Sequence, residues 1–141
     1  SMELYLDLLK RSPNGNELLS LLEGATICSS SGFTLSTLAA VAGLDGENTS
    51  RVRDLVEDLH RRSLLEYYNE INRYNIHPLL KQVVEKRLNK DPKKKIKFTK
   101  NHCTHFLNYA KKHRNDPKAL TREKDEIWHA LVQAGQLREE K

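Results

Sequence analysis

The stretch that decides the fold is TLSTLAAVAGLDGENTSRVRDLVEDLHRRSLLEYYNEINRYNI, residues 34–76. Thr34 offers a hydroxyl cap for a short helix, and Leu35, Leu38, Ala39 and Ala42 follow at helical spacing. Gly43-Leu44-Asp45-Gly46 is a tight break. Asn48-Thr49-Ser50 then supplies cap candidates for a longer helix to about Arg62, with Val52, Leu55, Val56 and Leu59 as its buried stripe. Two helices joined by a short glycine-bearing turn form a helix-turn-helix pattern. After Arg62 the period changes. Ser63 to Tyr68 and Arg73 to Ile76 read as short strands around a turn at Asn69-Glu70-Ile71-Asn72. A hairpin directly after a helix-turn-helix is the layout of a winged helix.

Upstream, Glu3 to Arg11 reads as a short helix with Leu4, Leu8 and Leu9 on one stripe, broken by Ser12-Pro13-Asn14-Gly15. Asn16 to Ile27 reads as a second, with Asn16 as its cap and Leu18, Leu21, Leu22 and Ala25 inward. Downstream, Pro78 suits a first helical turn, and Leu80, Val83, Val84 and Leu88 carry that helix to about Asn89. Residues 90–99 hold Pro92 and a run of lysines and read as a solvated basic linker. A helical hairpin is expected over 100–141. Its first arm, about Lys100 to His113, buries Phe106, Tyr109 and Ala110. Its second, about Thr121 to Leu137, buries Ile127, Ala130, Leu131 and Ala134. The expected class is therefore mainly α. The parts are a leading helix and turn (1–15), a winged helix (16–89), a linker (90–99) and a helical hairpin.

Charge separates the two halves. Through residue 76, 7 Lys+Arg face 11 Asp+Glu, whereas beyond it 17 face 8, within a total of +5. Nucleic-acid affinity rests on phosphate neutralisation by a basic face. The helix that would enter a groove carries Arg51, Arg53, Arg61 and Arg62 but also Asp54, Glu57 and Asp58, so the helix-turn-helix shape is no argument for DNA here. A DNA-binding regulator is the alternative reading. There is no apolar run of roughly 18 residues, so no membrane span is expected. Cys28 and Cys103 lie far apart, and with no sign of secretion both are expected as free thiols in a reducing, cytoplasmic setting.

Phe33 to Leu44, Leu55 to Leu59, Arg62-Ser63-Leu64-Leu65-Glu66 and Tyr74-Asn75-Ile76-His77-Pro78-Leu79-Leu80 together resemble the winged-helix portion of STAND-type (NB-ARC) signalling ATPases. That group includes apoptosome scaffolds, plant disease-resistance proteins and bacterial regulators. His105 to Ala110, followed by Leu120, Glu123, Asp125, Ile127, Ala130, Leu131 and Ala134, resembles the helical start of their sensor region. The resemblance spans about residues 16–135. It implies a piece of a larger protein whose ATPase part precedes it, and ADP or ATP bound only in that intact protein. It also implies that His77 reaches the nucleotide phosphates. The family's common Met-His-Asp is Ile76-His77-Pro78 here, so the histidine is kept and the carboxylate is absent. The implied partners are the chain's own ATPase domain and a downstream helical sensor.

No Gly-rich phosphate loop, nucleophile elbow or carboxylate pair in an apolar context is present, so no catalytic residue is expected. His102, Cys103 and His105 lie close together, but no second pair with ligand spacing accompanies them. They read as a buried cysteine and two ordinary helix histidines, with no metal. Phe106, Tyr109 and Trp128 are the candidate interface residues.

Overall fold

The computed structural model describes residues 1–139 as eight helices and one two-stranded antiparallel sheet. Helix α1 (Met2–Arg11) is capped by the Ser1 hydroxyl, which accepts from Leu4 N. It buries Leu6 and Leu9, while Leu4 and Leu8 face solvent. The inward stripe is thus displaced from the one the leucine spacing predicts, because α2 and α5 meet α1 on its Leu6–Leu9 side.

Helix α2 (Gly15–Ile27) is the central strut, and ten of its thirteen residues are buried. It starts at Gly15 after Asn14 in the left-handed region (φ 61°), not at a cap on Asn16. Gly15 is required there. A Cβ would lie 2.2 Å from the Lys10 carbonyl oxygen, a clash no small shift relieves.

The segment after α2 is extended. Phe33 exchanges backbone hydrogen bonds with Tyr74, N to O at 2.9 Å and back at 2.8 Å. Thr34 caps α3 (Leu35–Val41) by accepting from Thr37 N. Gly43 (φ 74°) ends α3, and Asn48 caps α4 (Thr49–Arg61). The four apolar residues expected inside α4, Val52, Leu55, Val56 and Leu59, are all buried. Strands β1 (Leu65–Tyr68) and β2 (Arg73–Ile76) pair in the register Leu65↔Ile76 to Tyr68↔Arg73. The order along the chain is therefore helix, single extended residue, helix, turn, helix, hairpin.

Helix α5 (Pro78–Asn89) leaves β2 directly and packs on α2. The segment read as a linker is instead the start of α6 (Pro92–Lys112), 21 residues long. Asp91 caps it by accepting from Lys94 N, and Pro92 fills the first turn, where a missing N–H costs nothing. Phe98 is buried in the main core, Lys94 pairs with the buried Glu23 at 2.6 Å, and the remaining lysines point outward. The basic run is one solvated face of a docked helix.

A short helix α7 (Pro117–Arg122), capped by Asp116, leads into α8 (Lys124–Glu139), which packs along α6. The inward face of α8 differs from the expected one. Glu126, Ala130 and Gln133 are buried, whereas Leu131 and Trp128 are 61% and 69% exposed. No helix among the described residues is long and apolar enough to cross a membrane.

Phe98 discriminates between a helix in the core and a loose tether. Phe98→Ala is expected to cost about 3–5 kcal/mol of stability by removing a buried ring. Lys97→Ala on the exposed face should stay within about 0.5 kcal/mol. Urea denaturation followed by circular dichroism reads both; equal effects would mean that 92–99 is not part of the core.

Candidate functional site

His77 sits where β2 ends and α5 begins. Its Nδ1 accepts from Leu79 N at 3.1 Å, so the ring is the N-cap of α5. An accepting Nδ1 places the proton of the neutral ring on Nε2. The residue is exposed, as are Pro78 and Leu79 beside it. The positive end of a twelve-residue helix dipole and an N–H donor therefore share one surface.

Arg51 of α4 and Arg62 at its C-cap are turned to internal use. Arg51 forks onto Glu17, with Nη2 2.6 Å from Oε1, and its Nη2 also lies 3.3 Å from Asn14 Oδ1. That pairing holds the Glu17 carboxyl below its ordinary range. Arg62 bonds Asp58 at 3.1 Å. Glu57 accepts from the Tyr74 hydroxyl at 3.0 Å, and burial followed by that bond pushes the Tyr74 phenol up to about 12. A cleft of 620 Å³ lies between α3, α4 and the hairpin, with Asp45, Glu47 and Glu57 against Arg53 on its walls. An acidic cleft does not attract phosphates.

The largest polar constellation joins the C-terminal helices to the rest. Glu126, in the first turn of α8, accepts from Ser29 N just beyond α2 and lies 2.9 Å from His102 Nε2 of α6. The other nitrogen of His102, Nδ1, is 2.7 Å from Gln133 Oε1. Gln133 Nε2 donates to the Ile27 carbonyl at 2.9 Å, where His129 Nε2 also lies at 2.9 Å. Cys28, adjoining Ile27, is buried, and burial together with the Glu126 charge pushes its thiol well above the ordinary value. Around this centre Asn101 donates to the Val41 carbonyl at 3.0 Å, and His105 Nε2 lies 3.3 Å from Thr37 Oγ1. Arg73 of β2 bonds both Glu123 and the Arg122 carbonyl, the latter at 2.9 Å. The C-terminal hairpin is docked by these bonds on α2, α3 and the sheet.

The sequence-expected residues fall in different places. Phe106 is buried against His102 and His105, so it belongs to the core and not to an interface. Tyr109 is half-buried, with its hydroxyl donating to the Ala119 carbonyl at 2.9 Å. Trp128 is exposed on the outer face of α8 beside Leu131 and Val132. His102 is not an ordinary surface-helix histidine, since it is wholly buried between two acceptors. Cys103 is only partly buried, with Sγ 3.4 Å from the Ala130 carbonyl. Glu126 was not singled out by sequence, and Cys28 was expected only as a free thiol, which it is. The one legible signal is that Glu126, His129 and Gln133 follow helical spacing on α8.

Protein-family models, curated proteins and solved structures were each compared with the chain, and none matches it.

Two outcomes follow from the junction. Arg73→Ala leaves the buried Glu123 carboxylate without its partner and should cost about 3–5 kcal/mol, read by chemical denaturation. Part of the pH dependence comes from His105, whose pKa is lowered below the ordinary 6.5 by burial first and then by His102, with Glu126 and Asp45 opposing; His129, lowered chiefly by burial, adds in the same direction. A histidine lowered on folding binds its proton more readily unfolded. The stability it protects is therefore complete above about pH 6.5 and is lost as pH falls toward the folded value. His105→Gln should flatten the fall in Tm between about pH 7.5 and 5.5; an unchanged slope would remove His105 from the account.

Proposed function

We propose that this chain is the non-catalytic regulatory and protein-interaction module of a STAND-type signalling ATPase, a winged helix followed by the first helices of a sensor region. The observation that carries the reading is His77. It caps α5 through Nδ1 and keeps Nε2–H for an outside acceptor at an exposed helix N-terminus. A nucleotide phosphate is such an acceptor. The order of helix, extended residue, helix, turn, helix and hairpin supports a winged helix.

In this reading, the intact cytoplasmic protein holds ADP or ATP in a neighbouring ATPase domain, and His77 bonds the phosphates in the closed state. Losing that contact biases the module toward an open packing. A switch of this kind requires a gap of about 5.5 kcal/mol in differential binding to move from mostly closed to mostly open. Trp128, Leu131 and Val132 form an apolar outer face on α8 that receives the following helices of the sensor. The absent carboxylate after His77 is replaced by Pro78, so the histidine acts there without that neighbour.

A winged-helix DNA-binding regulator is the competing reading, and the geometry disfavours it. Arg51 of α4 is engaged by Glu17, and Arg62 at its C-cap by Asp58, so the groove-reading helix offers a partly neutralised face.

Two measurements test the reading. In the intact protein, His77→Ala should release ADP faster, by about 10-fold for one charge-assisted bond, and raise basal activity. Unchanged ADP retention refutes the nucleotide-sensing role. A duplex-DNA titration of this chain at two salt concentrations should show weak binding, and tight binding with a steep salt slope would favour the DNA-binding reading instead.

A further inference from the structure

We propose that Cys28, His102 and Glu126 form a buried metal site of the Zn2+ class that staples α6 and α8 to the end of α2. One donor atom from each of these residues lies within 4.8 Å of the others, and all three residues are buried. They come from three separate parts of the fold: the C-cap of α2, the middle of α6 and the first turn of α8.

The hydrogen bonds prepare the donors. The Ile27 carbonyl only accepts, so Gln133 must turn its amide nitrogen to it and its Oε1 to His102. That leaves the His102 proton on Nδ1, donated to Gln133 Oε1 at 2.7 Å. In the neutral ring Nε2 is then a bare lone pair, 2.9 Å from a carboxylate oxygen of Glu126. Two lone pairs at that distance repel unless a cation lies between them. A proton between them, held on His102 or on the Glu126 carboxyl, removes the repulsion in one way, and a metal ion removes it in the other.

Cys28 favours the metal. A proton bridging His102 and Glu126 needs no third donor, whereas a thiolate beside an imidazole and a carboxylate is a Zn2+ donor set. With both anions bound, the divalent charge is cancelled inside the core. Bonds of about 2.0 Å to nitrogen and oxygen and about 2.3 Å to sulfur set donor atoms roughly 3.3–3.6 Å apart, which sub-ångström shifts reach from the present spacing. The supporting contacts match those of metal-binding residues. His102 gives its far N–H to a carbonyl oxygen, and the far oxygen of Glu126 is held by Ser29 N. His129 follows Glu126 by one helical turn, but its Nε2 is engaged by the Ile27 carbonyl at 2.9 Å, so the protein supplies three donors.

The experiment uses the reduced chain, stripped with chelator and titrated at neutral pH with Zn2+ and, in parallel, Co2+. The expected result is one equivalent bound, protons released in proportion to thiol deprotonation, a rise in Tm, and a thiolate-to-Co2+ charge-transfer band in the near ultraviolet. The chain has only two cysteines, Cys28 and Cys103. Cys103→Ser should therefore keep the band and Cys28→Ser should lose it. The first variant alone assigns the thiolate even where the second fails to fold. Absence of tight binding, binding without the thiolate band, or loss of the band in Cys103→Ser each overturns the proposal. Any of these would leave a proton, and not a metal ion, between His102 and Glu126.

Discussion

The contact on which the C-terminal third depends is a carboxylate that reaches across the chain. Glu126 binds a backbone N–H at the end of the central helix with one oxygen and the ring of His102 with the other. Burying a carboxylate is costly unless its lone pairs are met. Among the described residues, no buried side-chain nitrogen or oxygen lacks a partner. The requirement is therefore satisfied by the docking of α6 and α8, through bonds whose geometry is directional. An apolar contact tolerates sliding, but this one does not.

That constraint explains why α8 sits with its polar side inward. Its apolar residues do not need the core, because the core contact is made by Glu126, Ala130 and Gln133. The side that would ordinarily be buried carries Trp128, Leu131 and Val132 and remains open. Function in the proposed module follows from this division: one side of the last helix holds the chain together, and the other is free for a partner.

The first 89 residues were largely legible because their information is local. The stripe of α4, the glycine turn before it and the hairpin register each arise from spacing within about a dozen residues. The linker reading of 90–99 gave lysine charge too much weight. Asp91 and Pro92 already spelled a helix start, and Phe98 among the lysines marked the inward side. The junction was not legible, because His102 and Glu126 are 24 residues apart and Ser29 and Glu126 are 97. No periodicity reports such a pairing. The rotation of α8 was hidden for the same reason, since its buried glutamate makes sense only beside partners from α2 and α6.

Three of the later helices, α5, α6 and α7, open on a proline preceded by a capping side chain: His77-Pro78, Asp91-Pro92 and Asp116-Pro117. A residue before proline is barred from the helical region, and the ring fixes the next φ. Each corner is therefore a braced joint rather than a hinge, with no glycine in it to absorb rotation. The chain therefore turns into α5, α6 and α7 through corners of fixed geometry, whereas the step from α7 into α8, the helix that carries Trp128, is made at Glu123 without a proline.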